Sequence, residues 1–531
     1  MLIAKYKFDK SIYDNLIPEF NAEFTNYEII DEYLDTEDIV ATSIETIMVM
    51  NYDAEPDEYG ILTTEYEVEH ISTFSAENIV TRSIYSYELP TSIKFGGNLD
   101  EKMNVYDSVI KIDYVNFTNS INNASSMFIN CHNLLYIDGV DNWNTSNVTR
   151  MDSMFYNCKS LTELDVSNWD TSNVTTIGAI FRDCKSLTQL DVSNWDTSNA
   201  TNMYAIFYNC KSLTQLDVSN WDTSNVTRID YMFENCSSLT QLDVGNWDTS
   251  NVTTMQSMLR NCVSLTDLDV SNWDTSKVTT MRELFYGCKL LTQLDVSNWD
   301  VGNVTSMFKT FSDCSSLTEL DVSKWNVSKV GDMSYLFDMC SSITSLDVKN
   351  WCTDKVQKIC WLFADCQSLQ SVDVSSWNIT NVYDTRAIFR GCRSLKNIVF
   401  PRCDGKIISG YQQFWNCTSL ENIDLTGLKM HDNTSAFANT ITLKNVILNN
   451  SDYTTVNIFI KGLLSRSESN PGVLRVAGID DIYQVDTELA ESKYWNVINK
   501  MVMSPITKHE SMRQIKHGNK GLKIMICNNK Q

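Results

Sequence analysis

Nine aspartates stand 26 residues apart in this chain: Asp165, Asp191, Asp217, Asp243, Asp269, Asp295, Asp321, Asp347 and Asp373. Each sits between two apolar residues, as in Leu164-Asp165-Val166, so it points away from whatever those two residues cover. A carboxylate repeated at one spot on successive layers makes an acidic stripe, suited to cations or to a basic partner. Neighbouring carboxylates about 5 Å apart in water repel by about 1 kcal/mol. Such a ladder therefore calls for compensation, either from the Ser and Thr columns beside it or from a bound partner. We take these nine as the candidate partner-binding face. A second column, Asp170, Asp196, Asp222, Asp248, Asp274 and Asp300, exchanges freely with Asn144, Asn326 and Asn378. Indifference to charge marks a turn former.

Other chemistry is sparse. The triplets Asn147-Val148-Thr149 and Asn225-Val226-Thr227 match glycosylation acceptors, but they recur at one point of every repeat, which suits turn and cap duty better. Cys352, Cys360 and Cys366 lie close in sequence without a CxxC or a nearby His, so no metal is expected. The five histidines form no Ser/His/Asp grouping, and no phosphate loop occurs. The expectation is a protein without catalytic residues or cofactor, and not an enzyme.

The elements that position these residues follow from the period. Trp recurs every 26 residues from Trp143 to Trp377, and Cys does so from Cys158 to Cys392, with Cys131 and Cys417 one residue out of step. Self-similarity at this length signals a solenoid whose coils bury apolar faces only against their neighbours. In Leu161 to Cys184, LTELDVSNWDTSNVTTIGAIFRDC, the spacing Leu161, Leu164, Val166 reads as a short strand. Trp169 precedes a turn cluster, Asp170 to Asn173, and is expected to roof the core with its indole N–H on a carbonyl or water. Val174, Ile177, Ile180, Phe181 and Cys184 fit one face of a short helix capped by Thr175 or Thr176, while Val174 and Thr175 also fit a second short strand. The expected fold is an α/β solenoid, a leucine-rich-repeat-like array of parallel strand, turn and short helix. The Cys column reads as packing, because stacked side chains with parallel Cβ vectors suit a disulfide poorly and a thiol packs as a small hydrophobe.

Three regions are expected: an acidic β-rich N-terminal docking domain over 1–110, a solenoid of about 13 coils over 111–450, and a C-terminal cap with a basic tail over 451–531. Residues 1–100 carry 5 Lys/Arg against 21 Asp/Glu, and residues 501–531 carry 6 against 1. The net charge of −25 argues against nucleic acid as a partner. No run of 18 apolar residues exists, so no membrane span is expected. The opening MLIAKYKFDKSIYDN lacks the apolar core of a signal peptide.

Repeats of the form C-x-S-L-T-x-L-D-V-S-N-W-D-T-S-N-V-T-x-M-x-x-M-F resemble the BspA-like leucine-rich repeats of bacterial surface proteins and some bacteriophage proteins, over about 123–450. The resemblance implies a solenoid used for adhesion and protein–protein contact. The opening and the stretch ELPTSIKFGG are similar to the phage-encoded members, which implies a virion protein released by lysis. Its expected partners are other virion structural proteins through the N-terminal domain and a host cell-surface protein or glycan through the solenoid. A homo-oligomer is compatible with this, and the alternatives are a bacterial cell-surface adhesin and an intracellular interaction scaffold.

Overall fold

The structure, a computed structural model of the 531-residue chain, describes residues 122–401, 407–427, 429–431, 435–479 and 481–498, together with the backbone of strands at 2–9, 39–50, 63–74, 79–86, 109–115, 513–515 and 524–526. It divides into two compact units, Met1–Lys277 and Val278–Gln531.

In the first unit, β1 (Leu2–Asp9), β2 (Ile39–Met50), β3 (Thr63–Phe74), β4 (Ile79–Ser86), β5 (Val109–Val115) and β6 (Tyr136–Ile137) form one sheet in the order β2-β3-β4-β1-β5-β6. The first five pair antiparallel, and β5 meets β6 in parallel, Lys111 opposite Tyr136. β1 to β4 fall within residues 1–110, whereas β5 runs across the boundary expected at 110/111.

In each unit the repeats coil in the manner of a leucine-rich-repeat solenoid. Each coil buries the same set: Leu161, Leu164, Val166, Trp169, Val174, Ile177, Ile180, Phe181 and Cys184 in one repeat, with equivalents in the others. The phenylalanines stack ring on ring, 5.2 Å between Phe128 and Phe155 and 5.6 Å between Phe207 and Phe233 in the first unit. In the second, Phe285 and Phe311 stand 5.6 Å apart. Offset rings at these separations add a specific attraction to the area they bury.

The expected short helix within each coil does not form. After a parallel bridge row (Arg150, Thr176, Asn202, Arg228, Thr254 in the first unit), backbone N–H groups alternate between two kinds of partner. Ala179, Phe181 and Asp183 donate to the next coil, at Tyr204, Ile206 and Tyr208, over 2.7–3.1 Å. Ile180, Arg182 and Cys184 donate instead three residues back, to Ile177, Ala179 and Phe181, over 3.1–3.3 Å. An α-helix would spend all these donors four residues back within the segment. Here half of them stitch coils together, so the segment is a ribbon of tight turns with its apolar side inward. An isolated parallel bridge at Thr176 lies one residue past the second short strand that the sequence allowed at Val174 and Thr175.

The ribbon needs left-handed backbone twice per coil, as at Ala179 (φ 57°) and Asp183 (φ 64°). The residue before each cysteine is Asn, Asp or Gly in most coils, the types that tolerate this region. Met339 (φ 61°) is an exception, and its side chain is about half exposed. Met339→Asn is therefore expected to stabilise the protein by about 1 kcal/mol, the cost of left-handed backbone in an ordinary residue. A urea titration checks it, and an unchanged midpoint would mean that this backbone is not strained.

The strand segments are thin. Thr162 donates to Leu135 at 3.0 Å and Thr188 to Thr162 at 3.2 Å, one bond per coil rather than a full ladder. In the second unit they widen: β7 (Ser345–Leu346) pairs with β8 (Ser371–Val372), and β9 (Asn397–Val399) begins a larger sheet. A small parallel pair joins β10 (Ile407–Ser409) to β12 (Lys429–His431). The larger sheet runs β15-β14-β13-β11-β9, all parallel, through β11 (Asn422–Asp424), β13 (Asn445–Ile447), β14 (Gly472–Arg475) and β15 (Trp495–Ile498).

Two helices accompany its C-terminal end. Helix α1 (Tyr453–Gly462) is N-capped by Asp452 and buries Val456, Phe459 and Ile460, and α2 (Thr487–Ser492) is capped by Asp486. Within the region expected to form the C-terminal cap, α2 lies between β14 and β15, and α1 precedes both. β16 (Arg513–Ile515) and β17 (Ile524–Ile526) form an antiparallel pair.

Candidate functional site

The exposed side of each coil is built from columns of short polar side chains, and the structure gives almost all of them a backbone task. In the aspartate row, Oδ1 of Asp165 accepts from the backbone N–H of Ser167 at 3.1 Å and from its hydroxyl at 2.6 Å. Asp191, Asp217 and Asp269 in the first unit, and Asp295, Asp321 and Asp373 in the second, repeat this two-bond turn. Asp243 and Asp347, followed two residues on by Gly245 and Lys349, keep only the backbone bond, at 3.3 and 3.4 Å. The serine bonds hold the carboxyls of Asp191, Asp269 and Asp321 below the ordinary range. Asp373, bonded to Ser375 and also to Lys349, is brought down to about 2. Hydrogen bonds to the charged form cause this shift. Eight of the nine remain exposed and Asp373 is half-buried. The serine column thus supplies hydrogen bonds to seven of the nine carboxylates, and the row stays presented to solvent.

The second column behaves as turn formers should. Asp170 accepts from the N–H and hydroxyl of Ser172, and Asn378 does the same with Thr380. The sequon asparagines spend their amides between coils: Asn173 donates to the Ser146 carbonyl at 2.8 Å, and Asn199 to Ser172 at 2.7 Å. Thr171, buried, donates to the Asp196 carbonyl at 2.9 Å.

The repeat tryptophans from Trp143 to Trp377 are all buried. Trp247 is buried, and its indole N–H donates to the Val218 carbonyl of the preceding coil at 3.1 Å. Trp351 does the same to Val322 in the second unit. The cysteine column is buried as well. Cys352, by contrast, is exposed and bonds to Asp354, well apart in character from buried Cys366. Among the described residues no three His, Cys, Asp or Glu side chains are grouped to hold a metal ion. None of their helices is long and apolar enough to cross a membrane.

A cation–aromatic column went unread in the sequence. Tyr156, Arg182 and Tyr208 lie 26 residues apart, and the Arg182 guanidinium sits 5.4 and 4.5 Å from the two rings while donating to the Tyr204 hydroxyl at 3.1 Å. In the second unit Arg390 lies between Trp361 (4.7 Å) and Trp415 (4.8 Å). The signal was there in the 26-residue step, but it falls at a position whose residue type otherwise varies from coil to coil.

Comparison with known proteins adds the family. A family described as "Mycoplasma protein of unknown function, DUF285" matches residues 122–242, 181–287, 214–320, 264–371 and 309–427. No curated protein matches. Among solved structures, an internalin of Listeria monocytogenes shares 15% identity over 75% of this chain and 88% of its own, with a TM-score of 0.20. Internalin C2 of the same species shares 17% over 40% of this chain and 81% of its own, at 0.21. The Drosophila Toll–Spatzle complex shares 13% over 70% and 49%, at 0.26. The overlapping family matches together cover residues 122–427, more than half of the chain and all within its leucine-rich repeats, so the chain belongs to the DUF285 family of repeat proteins.

Proposed function

We propose that this is a non-enzymatic binding protein, a repeat surface for adhesion or protein–protein contact, carried on a bacteriophage particle that meets a host cell. Residues 1–110 dock to other virion proteins, and the row Asp165, Asp191, Asp217, Asp243, Asp269, Asp295, Asp321, Asp347 and Asp373 faces the host partner. On a bacterial cell surface the same array would do the same work, and only what holds residues 1–110 would differ. One observation carries the binding reading: the exposed columns are pre-ordered by turn bonds, as at Asp165–Ser167, so little conformational freedom is lost on contact. Identical weak contacts repeated along such a surface multiply through avidity. The concentration of acid over residues 1–100 supports docking to a basic structural protein.

The test uses the full chain with Asp191, Asp217 and Asp243 changed together to Asn, a residue that makes the same turn at Asn378. Binding to host cells should weaken by about tenfold and lose its salt dependence, because exposed charges are screened over about 8 Å at physiological ionic strength. Unchanged binding with an unchanged salt response would remove the aspartate row from the interface. Proteomics of purified phage particles tests the virion assignment, and its absence from particles alongside its presence on bacterial cells would transfer the assignment to the cell surface.

A further inference from the structure

In a surface this uniform, a cluster of departures from the repeat is informative, and one lies in three successive coils of the second unit. The consensus Asn-Val-Thr becomes Lys329-Val330-Gly331, then Lys355-Val356-Gln357, then Asn381-Val382-Tyr383. The threonine column is a structural ladder elsewhere: Thr305 Oγ1 donates to the Thr279 carbonyl at 3.0 Å, and Thr253 does so to Thr227 at 3.1 Å in the first unit. Gly331 keeps the backbone of that ladder, with its N–H on the Thr305 carbonyl at 2.8 Å and its own carbonyl accepting from Gln357 at 2.8 Å. Only the side chain is missing.

The loss leaves an open hollow of about 550 Å³, lined among others by Gly331, Lys329, Lys355, Gln357, Asp354 and Tyr383. This is within the size range of small-ligand sites. A Cβ on Gly331 would meet nothing closer than the Thr305 carbonyl at 3.8 Å, and its backbone is not left-handed. Neither close packing nor conformation therefore demands glycine here.

The lining is chemically mixed. Lys329 and Lys355 are exposed and sit one coil apart, roughly 5 Å by strand spacing, with Lys329 Nζ also on Asn303 Oδ1 at 2.6 Å. Tyr383 is 67% exposed, the second most exposed large hydrophobic side chain among the described residues, with the Lys358 ammonium 5.8 Å from its ring centre. Asp354 accepts from Asn378 and Cys352, and Gln357 is exposed beside it. An open aromatic face takes the C–H side of a sugar ring. Carboxylate and amide groups beside it bond vicinal hydroxyls, and paired ammonium groups take an acid.

We propose that the hollow at Gly331 binds an acidic sugar unit, a carboxylated or sulfated residue of a glycan. Lys329 and Lys355 hold the acid, Tyr383 stacks on the ring, and Gln357 and Asp354 bond its hydroxyls. The site deepens the adhesion reading by giving it a ligand class at one place, and it rests on that reading only for its biological setting.

The test exploits the repeat itself, since each reversion restores a residue type that other coils already carry. Full-length protein, Gly331→Thr, Tyr383→Thr and the double variant Lys329→Asn/Lys355→Asn are titrated by calorimetry with a heparin-derived hexasaccharide and an oligogalacturonate. Cellohexaose and a polyglutamate peptide serve as comparisons. The expected result is binding of at least one acidic oligosaccharide but not of cellohexaose, weakened about tenfold or more by each variant. Gly331→Thr should leave the melting temperature unchanged or raised, because its hydroxyl can rejoin the ladder, so lost binding would not reflect unfolding.

Failure of both acidic oligosaccharides to bind, or full binding by Gly331→Thr, overturns the site. Polyglutamate binding as tightly as sugar, indifferent to Tyr383→Thr, overturns the sugar assignment in favour of an acidic peptide. Cell binding by these variants separates the two readings. If Gly331→Thr loses sugar but still binds cells, adhesion stands and does not run through this hollow. If the protein binds sugar and never binds cells, the adhesion reading fails while the site stands.

Discussion

Replacing Trp247 by alanine is expected to cost about 3–5 kcal/mol, the range for emptying a large buried aromatic site. Its indole is 2% exposed, stacks on Trp221 with the rings 6.5 Å apart, and leans against Phe233 at 6.2 Å. Removal leaves a cavity between stacked neighbours that cannot close without sliding one coil past the next. It also leaves the Val218 carbonyl without its indole donor. In an array whose coils touch only their neighbours, the damage is local and should split the unfolding transition into two. Urea denaturation followed by tryptophan fluorescence and by circular dichroism would show this as non-coincident curves. A loss below about 1 kcal/mol would contradict the burial on which this description of the coil rests.

Thiol chemistry should divide the cysteines just as sharply. Cys236 is enclosed in the core, donates its S–H to the Phe207 carbonyl at 3.1 Å, and is pushed up to about 12 by burial. Cys184, Cys210 and Cys366 are raised for the same reason. Since the thiolate is the reactive form, at pH 8 such a group would react about a thousandfold more slowly than an ordinary exposed thiol even if reagent reached it. Of the fourteen described cysteines only Cys352 is exposed. A disulfide-exchange reagent should therefore label Cys352 quickly and the column only on unfolding, site by site in a peptide map. Fast labelling of Cys210 or Cys236 in native protein, or disulfides between repeat cysteines after denaturation without reductant, would show that the column is not a packed ladder of thiols.

These two expectations share one cause. A coil of 26 residues cannot form a core alone, so its large side chains do their work across the coil boundary. The indole of Trp221 reaches back to Val192, the thiol of Cys210 to Phe181, and the hydroxyl of Thr175 to Thr149. The polar columns obey the same rule, as Asn225 shows by donating to Ser198. Residue identity at each position is therefore set by contact with the copy of itself one coil away, which is why the same phrase recurs along the chain. Lys329, Gly331, Lys355 and Tyr383 stand in these same Asn and Thr columns, and they stand out because they depart from the residue types the columns otherwise carry.

The period alone determined the solenoid, the buried Trp, Cys and Leu columns and the exposed aspartate row, because a strict 26-residue step forces equivalent residues into equivalent environments. The charge-indifferent column at Asp170 and Asn378 was likewise legible as turn chemistry, since Asp and Asn share the oxygen that makes the turn. What the period could not decide was the path between Val174 and Cys184. Apolar residues spaced three, three, one and three fit a helix face, but they fit a turn ribbon equally well, and the choice rests on donors that leave the coil. Backbone N–H groups of Ala179, Phe181 and Asp183 bond to a coil not yet in place when the segment is read alone. Local propensity cannot register a partner 25 residues away, whereas the left-handed Asp183 before Cys184 was a clue that no helix interior would carry. The hollow at Gly331 belongs to the same class. Its residues are visible in the sequence as departures from a consensus, yet only the stacking of three coils brings lysine, tyrosine and the missing threonine side chain to one place.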